Sequence, residues 1–330
     1  MRLWHLCNID GVATLTMQPD PELLVEPTGD RISPNGRPTP QFREHLRTIP
    51  SWADAWTVAF VWLQTISVLV AAVWLNSPAT WVLAFLLMGR AHVQLNILQH
   101  EAAHRLLFAN RRLNDWVGRW LLAYPAFVPI DLYRRGHMAH HREEFGPNEP
   151  DIPMYRAYPI SRDSMRRKLT RDALGITGFK LLRGLFGALR STNADARHQA
   201  RCIFATQAIL LAVAILAGHP WLYPLLWLLP HLTVWRVLNR LRAIAEHGGM
   251  VQSPDRRETT HLVRQSHWAR FWFVPFNTGW HLAHHVDSGI PWRRLPEYHR
   301  ELVRSGYVQD GLEYPNYRAL WKALASGTPA

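Results

Sequence analysis

Residues 57–75 read TVAFVWLQTISVLVAAVWL and contain no charged side chain. As a helix, these nineteen residues would be about 28 Å long, close to the ~30 Å hydrocarbon thickness of a lipid bilayer. The sequence Asn-Ser-Pro at 76–78 interrupts the run, and a second uncharged run then covers residues 79–89. This pair predicts a hairpin of two membrane-spanning helices, at about residues 57–75 and 79–99.

A second pair of apolar runs follows the same plan. Residues 203–217 and 221–235 contain no Asp, Glu, Lys or Arg, and the sequence Gly-His-Pro at 218–220 separates them. We therefore predict two more spans, at about residues 203–217 and 221–240. The alternative is a soluble protein in which these runs form a buried helical core, which apolar runs of about 10 to 14 residues would permit.

The distribution of positive charge predicts the orientation of these spans. The chain contains 37 Lys and Arg residues, and neither hairpin turn (76–78 and 218–220) contains one. Because Lys and Arg accumulate on the cytoplasmic side of membrane proteins, we expect the basic residues and both termini on that side. The chain begins without a basic segment followed by an apolar one, so no cleaved signal peptide is expected.

Three histidine clusters are the candidate metal-binding motifs of the sequence: HEAAH at 100–104, HMAHH at 137–141 and HLAHH at 281–285. They hold eight of the eighteen histidines. On a helix, spacings of three and four residues place the imidazoles of each cluster on one face. Neutral imidazole is a common ligand of iron, zinc, copper and nickel. The alternative for any single cluster is a solvated, histidine-rich turn.

The number of ligands predicts the number of metal ions. Eight histidines exceed the four ligands of a closed zinc site and the three of a catalytic one, so they favour two metal ions with open coordination positions. Each cluster also lies beyond the end of an apolar run, on the side predicted to be cytoplasmic. The only cysteines, Cys7 and Cys202, indicate neither a disulfide framework nor a cysteine metal site.

The ordered set of motifs resembles the membrane fatty acid desaturase superfamily. The order H-x-x-x-H, H-x-x-H-H, H-x-x-H-H, interleaved with two membrane hairpins, is similar to that family. So are RAIAEHG at 242–248, NTGWHLAHH at 277–285 and PWRRLPEYH at 291–299. The resemblance covers roughly residues 50–305. It implies di-iron enzymes, a group that includes related hydroxylases and carotenoid ketolases.

The resemblance also implies a set of metal ligands. Carried over by position, the two irons would be held by nine histidines: His100, His104, His137, His140, His141, His247, His281, His284 and His285. His247 has a separate argument from the sequence, because it ends the fourth predicted span on the cytoplasmic side. The alternative for His247 is a histidine without a ligand role, in front of a Gly-Gly pair. Five other histidines lack ligand spacing and are expected to be structural: His92, His219, His231, His261 and His267.

Carboxylates and amides near the clusters are candidates for orienting the ligands. Glu101, Glu143, Glu144 and Glu246 could accept hydrogen bonds from imidazole N–H groups. Of these we favour Glu246. Asn277 lies four residues before His281 and could hydrogen-bond a ligand or a metal-bound water. The alternatives are surface acids and an ordinary turn asparagine.

The predicted fold class is an all-α integral membrane protein. Four transmembrane helices form two hairpins, and a helical cytoplasmic cap carries the histidine boxes. We expect an N-terminal cytoplasmic arm at 1–50, a catalytic domain at 51–305 and a C-terminal cytoplasmic tail at 306–330. Residues 175–190 mix apolar and basic positions. They predict an amphipathic helix in the headgroup plane or, equally, an ordinary cytoplasmic helix.

The resemblance implies an O₂-dependent desaturase that introduces a double bond into a fatty acyl or lipid chain. Removing hydrogen from unactivated carbon is beyond side-chain acids and bases, and non-haem iron with dioxygen suffices. Two alternatives remain: a di-iron hydroxylase or ketolase of the same superfamily, and a membrane protein that binds or transports metal. Transporters place such ligands near the midplane of the spans, which argues against the last.

Charge and missing motifs predict the partners. The net charge of +12 favours anionic lipid and an acidic protein over nucleic acid, for which no groove-reading motif is present. The sequence contains no haem segment, iron–sulfur spacing or nucleotide-binding fingerprint. A separate small redox protein is therefore expected to supply electrons, steered by the basic face.

Overall fold

The computed structural model describes residues 6–9, 12–15, 17–147 and 149–327. The first part of the predicted arm at 1–50 therefore lies partly outside the described residues. The described chain divides into two compact units. We call residues 49–135 and 168–239 the span unit, and residues 1–48, 136–167 and 240–330 the box unit.

The described chain is mostly helical, as predicted. The first half contains α1 (Pro40–Leu46), α2 (Ser51–Leu75), α3 (Pro78–Ala103), α4 (Arg111–Val117), a π-helix (Gly118–Ala123), α5 (Ile130–Arg142), α6 (Ile152–Tyr155), α7 (Arg162–Ala173) and α8 (Ile176–Ala188). The second half contains α9 (Ala194–Leu216), a π-helix (Tyr223–Leu228), α10 (Leu229–Leu232), α11 (Val234–His247), α12 (Arg256–Thr259), α13 (His267–Trp272), α14 (His281–Val286), α15 (Leu295–Arg304) and α16 (Tyr317–Leu324).

Strands are few and short among the described residues. β1 (Leu6–Ile9) and β2 (Val12–Leu15) form an antiparallel pair, and β3 (Leu262–Val263) and β4 (Glu313–Tyr314) form a parallel pair. Two 3₁₀ turns, Pro21–Leu23 and Asp310–Leu312, complete the regular elements. The second pair of strands attaches the C-terminal segment to the body of the box unit.

Three helices of the span unit are long and apolar enough to cross a membrane: α2, α3 and α9. They cover the first three predicted spans, apart from residue 217 of the third, and start earlier in the chain. The turn between α2 and α3 follows from its residues. Asn76 takes the left-handed conformation that ends α2 (φ 38°), and Ser77 caps α3 through a reciprocal capping box with Thr80.

The fourth predicted span differs from the other three because it is not one helix. The π-helix at 223–228 continues into α10, and Thr233 (φ −121°, ψ −83°) separates α10 from α11. A glycine brings this break close to α3. A Cβ on Gly89 would lie 2.3 Å from the side chain of Val234, so only glycine allows the two backbones to approach so closely.

Arg90 is an exception to the predicted distribution of charge, because it lies inside α3 rather than beyond its end. Its guanidinium donates hydrogen bonds to the side-chain oxygens of Gln64 (3.0 Å) and Gln94 (3.1 Å). A cation inside an apolar helix needs such partners, because unpaired burial of charge is costly.

The core of the box unit positions α14, which carries the third histidine cluster. Leu282, Ala283 and Val286 are buried in a hydrophobic cluster that also contains α1 and α15 residues. Arg43 of α1 forms an ion pair with Asp287, the residue that ends α14. These contacts fix the rotation of α14, so that its histidines lie on the face opposite the hydrophobic cluster.

Candidate metal centre

The second histidine cluster forms the last turns of α5. His137 and His141 are one turn apart, and their Nε2 atoms lie 3.0 Å from each other. His284 of α14 brings a third nitrogen to the same place, because its Nε2 is 3.1 Å from the Nε2 of His141. We call His137, His141 and His284 the close group. Their ligand atoms all lie within 4.8 Å of one another, and all three side chains are buried.

The contacts of the close group exceed what hydrogen bonding can explain. A ring nitrogen has one in-plane position, which holds either a proton or a lone pair. The Nε2 of His141 can therefore make one good hydrogen bond, yet two other imidazole nitrogens lie within 3.1 Å of it. Two nitrogens each about 2.1 Å from a metal and about 90° apart would be separated by about 3.0 Å. The spacing fits a shared cation.

A second set of histidines is arranged differently. His140, His247 and His285 also offer ligand atoms within 4.8 Å of one another. We call these three the anchored group, because the Nδ1 of each meets an acceptor. The acceptors are Glu149 for His140 (2.5 Å), the carbonyl oxygen of Thr259 for His247 (2.9 Å) and Glu144 for His285.

These acceptors determine which nitrogen can bind a metal. An Nδ1–H that donates to an oxygen leaves Nε2 with its lone pair, which is the ligand form of neutral imidazole. The Nε2 of His285 is buried and has no hydrogen-bond partner among the described residues. A buried polar nitrogen without a partner is costly, and a metal ion would satisfy it.

His281 extends the anchored group. Its Nε2 lies 3.1 Å from the Nε2 of His247, so the first residue of the third cluster meets the histidine that ends α11. The Nδ1 of His281 lies 3.6 Å from Glu246, which is longer than a hydrogen bond. Glu246 instead accepts a hydrogen bond from Arg242 at 3.1 Å.

Arg256 connects the two groups. Its guanidinium lies 2.7 Å from Glu144, the carboxylate that holds His285 of the anchored group. It also donates a hydrogen bond to the backbone carbonyl of His141, in the close group, at 2.8 Å. Arg256 therefore satisfies a carbonyl at the end of α5 and fixes a carboxylate with the same side chain.

Burial keeps most of these imidazoles neutral. It lowers the pKa of His247, His281 and His285 well below the usual value, and it lowers the pKa of His284 to about 3. His140 differs. Burial lowers its pKa too, but the hydrogen bond and charge of Glu149 outweigh that effect, so the pKa is raised. Neutral rings are what metal ligation requires.

The first cluster belongs to the span unit. His100 lies in the last turn of α3, His104 is the residue that ends that helix, and their rings are 4.7 Å apart in an edge-on arrangement. The sequence predicted this position at the end of the second span.

The structure also shows where the predicted orienting residues lie. Asn277 donates a hydrogen bond to the carbonyl oxygen of Trp292 at 3.3 Å. Glu144 was one of four candidates, whereas Glu149, Thr259 and Arg256 were not predicted. The sequence does not indicate that Glu149 accepts a hydrogen bond from His140, because it follows His140 by nine residues in an irregular segment. Thr259 acts through its backbone, which no side-chain pattern reveals.

The donor set fits a metal centre. Imidazole ligands suit iron, zinc, copper or nickel, and the buried carboxylates of Glu144 and Glu149 add negative charge that a cation would balance. Both carboxylates are fully buried. The observed geometry, with neutral nitrogens in close contact and acceptors behind them, is that of a ligand set with its supporting hydrogen bonds.

Comparison with known proteins identifies the family of this chain. The chain is 27% identical over 243 residues to a dihydrorhizobitoxine desaturase of Bradyrhizobium elkanii, which covers 69% of this chain and 67% of the relative. It is 23% identical over 270 residues to an sn-1 oleoyl-lipid 12-desaturase of Arthrospira platensis, which covers 72% and 71%. The sequence model of the family Fatty acid desaturase matches residues 73–318. The chain, an oxidoreductase with buried histidine clusters able to bind metal, belongs to the fatty acid desaturase family.

Proposed function

We propose that this protein is an O₂-dependent di-iron membrane desaturase that introduces a double bond into a fatty acyl or lipid chain. The observation that carries the proposal is the close group. One buried imidazole nitrogen, Nε2 of His141, meets two others at 3.0 and 3.1 Å, which a cation explains and hydrogen bonding does not. Membership of the desaturase family supports iron as that cation.

The proposed ligands divide between two ions. The close group would hold one iron, and His100 and His104 would complete the set of nine ligands. The anchored group, together with His281, would hold the other. The spacing of the first cluster and the family's motif order support the contribution of His100 and His104. When bound, the pair of irons supplies the O₂-dependent oxidation that no side chain can perform.

The chain's own residues have defined tasks in this scheme. Glu149, Glu144 and the Thr259 carbonyl hold Nδ1 protons, so that each anchored ring presents a lone pair. Arg256 keeps Glu144 in place and fixes the end of α5. Burial excludes water from the nitrogens and keeps the rings of His247, His281, His284 and His285 neutral.

We also propose four spans with both termini and the metal centre on the cytoplasmic side. Three long apolar helices support the first three. The fourth would consist of the helical pieces from residue 221 to 240, interrupted at Thr233. Lys and Arg are absent from both hairpin turns, which supports this orientation. An external redox protein would supply electrons, and the net charge of +12 would attract an acidic one.

The experiment that tests this function combines metal analysis with product analysis. The detergent-purified protein is expected to contain about two irons per chain, in line with its count of ligands. Cells that express it are expected to gain an alkene in extracted lipids or small metabolites. His140→Ala should abolish the alkene. His267→Ala, an exposed histidine outside the clusters, is the matched control and should keep both metal and product.

The other outcomes point to the alternatives. Two irons with a hydroxylated or keto product would retain the site and replace desaturation by hydroxylation or ketone formation. Metal that exchanges freely, with no O₂ consumption in the presence of lipid, would indicate a metal-binding or transport protein. Turnover that salt does not inhibit would argue against an acidic electron donor.

A further inference from the structure

Helix α8 exposes more apolar surface than an ordinary cytoplasmic helix. Five large apolar side chains in and next to it are exposed: Leu174, Ile176, Phe179, Leu181 and Phe186. Phe179 is 64% exposed. A cluster of such residues marks a surface that another molecule covers.

The contacts of α8 place it beside membrane-spanning segments. A Cβ on Gly178 would lie 2.3 Å from the backbone oxygen of Leu232, so α8 packs directly on the chain of the proposed fourth span. The ring of Phe186 stacks on Phe204 of α9, with ring centroids 4.4 Å apart. Both partners lie within proposed spans, so in the proposed topology the outer face of α8 would face lipid near the cytoplasmic surface.

The outer face of α8 is also basic. Lys180 and Arg183 of α8, and Arg190 just after it, are exposed. No carboxylate of the described chain pairs with any of them, and no Asp or Glu occurs between residues 173 and 194. Helical spacing places Arg183 one turn after Phe179 on the same face, and Lys180 lies one turn before Arg183.

Two glycines of α8 are not required by packing against other described residues. A Cβ at Gly184 or Gly187 would meet no atom within 4 Å. Glycine inside a helix costs about 1 kcal/mol relative to alanine and is usually retained where something approaches the backbone. Here the space lies on the exposed side, next to the basic residues.

We propose that α8 is a docking surface for anionic phospholipid. Its aromatic and aliphatic side chains insert at the level where acyl chains begin, and Lys180, Arg183 and Arg190 contact the phosphate groups. Alternating apolar and basic residues suit a headgroup layer, in which both chemistries are within reach of one helix face. The proposal rests on the proposed membrane topology and not on the di-iron chemistry.

The test uses the full-length protein in lipid nanodiscs that contain equal amounts of phosphatidylglycerol and phosphatidylcholine. A photo-crosslinking phenylalanine analogue replaces Phe179, and mass spectrometry identifies the lipid attached. The same analogue at Val82, an exposed residue of α3 near the opposite hairpin turn, is the control position. We expect crosslinks to lipid at both positions, enriched in phosphatidylglycerol at residue 179 alone.

Charge variants test the contribution of the basic residues to lipid preference separately from that of the apolar ones. A variant with Lys180→Gln, Arg183→Gln and Arg190→Gln should lose the enrichment, since each basic residue near a membrane surface contributes about fivefold to anionic lipid binding. The matched control carries Arg162→Gln, Arg166→Gln and Arg167→Gln, which are exposed basic residues of α7, and should keep it.

Three results would overturn the proposal. They are no lipid crosslinks at residue 179, equal crosslinking to both lipids, and crosslinks in cells to a protein in place of lipid. Iron content is measured on the same samples. Loss of metal with lipid preference retained would count against the proposed function alone, whereas loss of lipid preference with metal retained would count against α8 alone.

Discussion

The close group and the anchored group are both proposed to bind a metal ion, but their imidazoles are held in different ways. In the close group, the ring nitrogens of His137 and His284 lie 3.0 and 3.1 Å from that of His141, a crowding that a metal ion relieves. In the anchored group, an oxygen acceptor fixes each Nδ1, and His285 presents a buried Nε2 with no partner among the described residues. We therefore expect the close group to depend on metal for its geometry and the anchored group to be arranged before metal binds.

The largest expected effect comes from removing one ligand of each group. His141→Ala and His285→Ala should each abolish product and lower the iron content to about one ion per chain, since both remove a ligand of a proposed ion. The two should differ after chelation. His285→Ala leaves Glu144 buried without its imidazole partner and should destabilise the metal-free protein by about 1–3 kcal/mol.

His141→Ala should destabilise the metal-free protein less, because it removes the Nε2 atom that lies close to two other imidazole nitrogens and so relieves an unfavourable contact. Thermal unfolding of chelator-treated samples measures both changes, with His267→Ala as the control. Equal loss of stability in the two variants would contradict the distinction between the groups.

The next largest effect is expected from the carboxylate behind His140. Glu149→Ala removes the acceptor of its Nδ1–H and should weaken iron binding by about 10- to 100-fold, as loss of such a partner does in metal sites. Glu149→Gln keeps an acceptor oxygen and should recover part of the affinity. Competition with a chelator gives the affinities, and Glu44→Gln, at an exposed carboxylate of α1, should change nothing.

Arg256 tests whether the two groups are coupled. Because it contacts both Glu144 and the carbonyl of His141, Arg256→Ala should weaken both irons, by about tenfold each, at the lower end of what a supporting residue contributes. Mössbauer spectra of ⁵⁷Fe-loaded protein would report a change at both sites. A spectrum altered at one site only would show that Arg256 supports only one of the two groups. Arg264→Ala, at a largely exposed arginine, is the control.

The smallest effect is expected at Thr259. His247 is held by the backbone oxygen of this residue, so Thr259→Ala keeps the acceptor. We expect iron affinity to change by less than about threefold, while stability falls by about 1 kcal/mol through lost hydroxyl hydrogen bonds. A loss of affinity as large as that of Glu149→Ala would show that the side chain, and not the carbonyl, supports the site.

Much of the fold could be predicted from local patterns in the sequence. The uncharged runs predicted α2, α3 and α9, because the length of an apolar helix is a property of the sequence alone. The break at Thr233 in the fourth predicted span was not predicted in this way, because the run around it contains no charge; only Pro224 and Pro230 indicate an irregular helix. It coincides with the close packing of Val234 on Gly89, which is a contact between distant parts of the chain.

The sequence by itself determined the histidine residues, because ligand spacing on a helix is local: His137 and His141 are one turn apart wherever α5 lies. It also determined the membrane-compatible helices and, through the ordered motifs, the family. Only the tertiary structure decided which oxygen faces each imidazole. The Glu149 contact depends on how an irregular segment folds back on α5, the Thr259 contact on a backbone atom that every residue shares, and the double contact of Arg256 on segments far apart in the chain. Hydrogen bonds of that kind form only when the chain has folded, so residue identity alone could not reveal them.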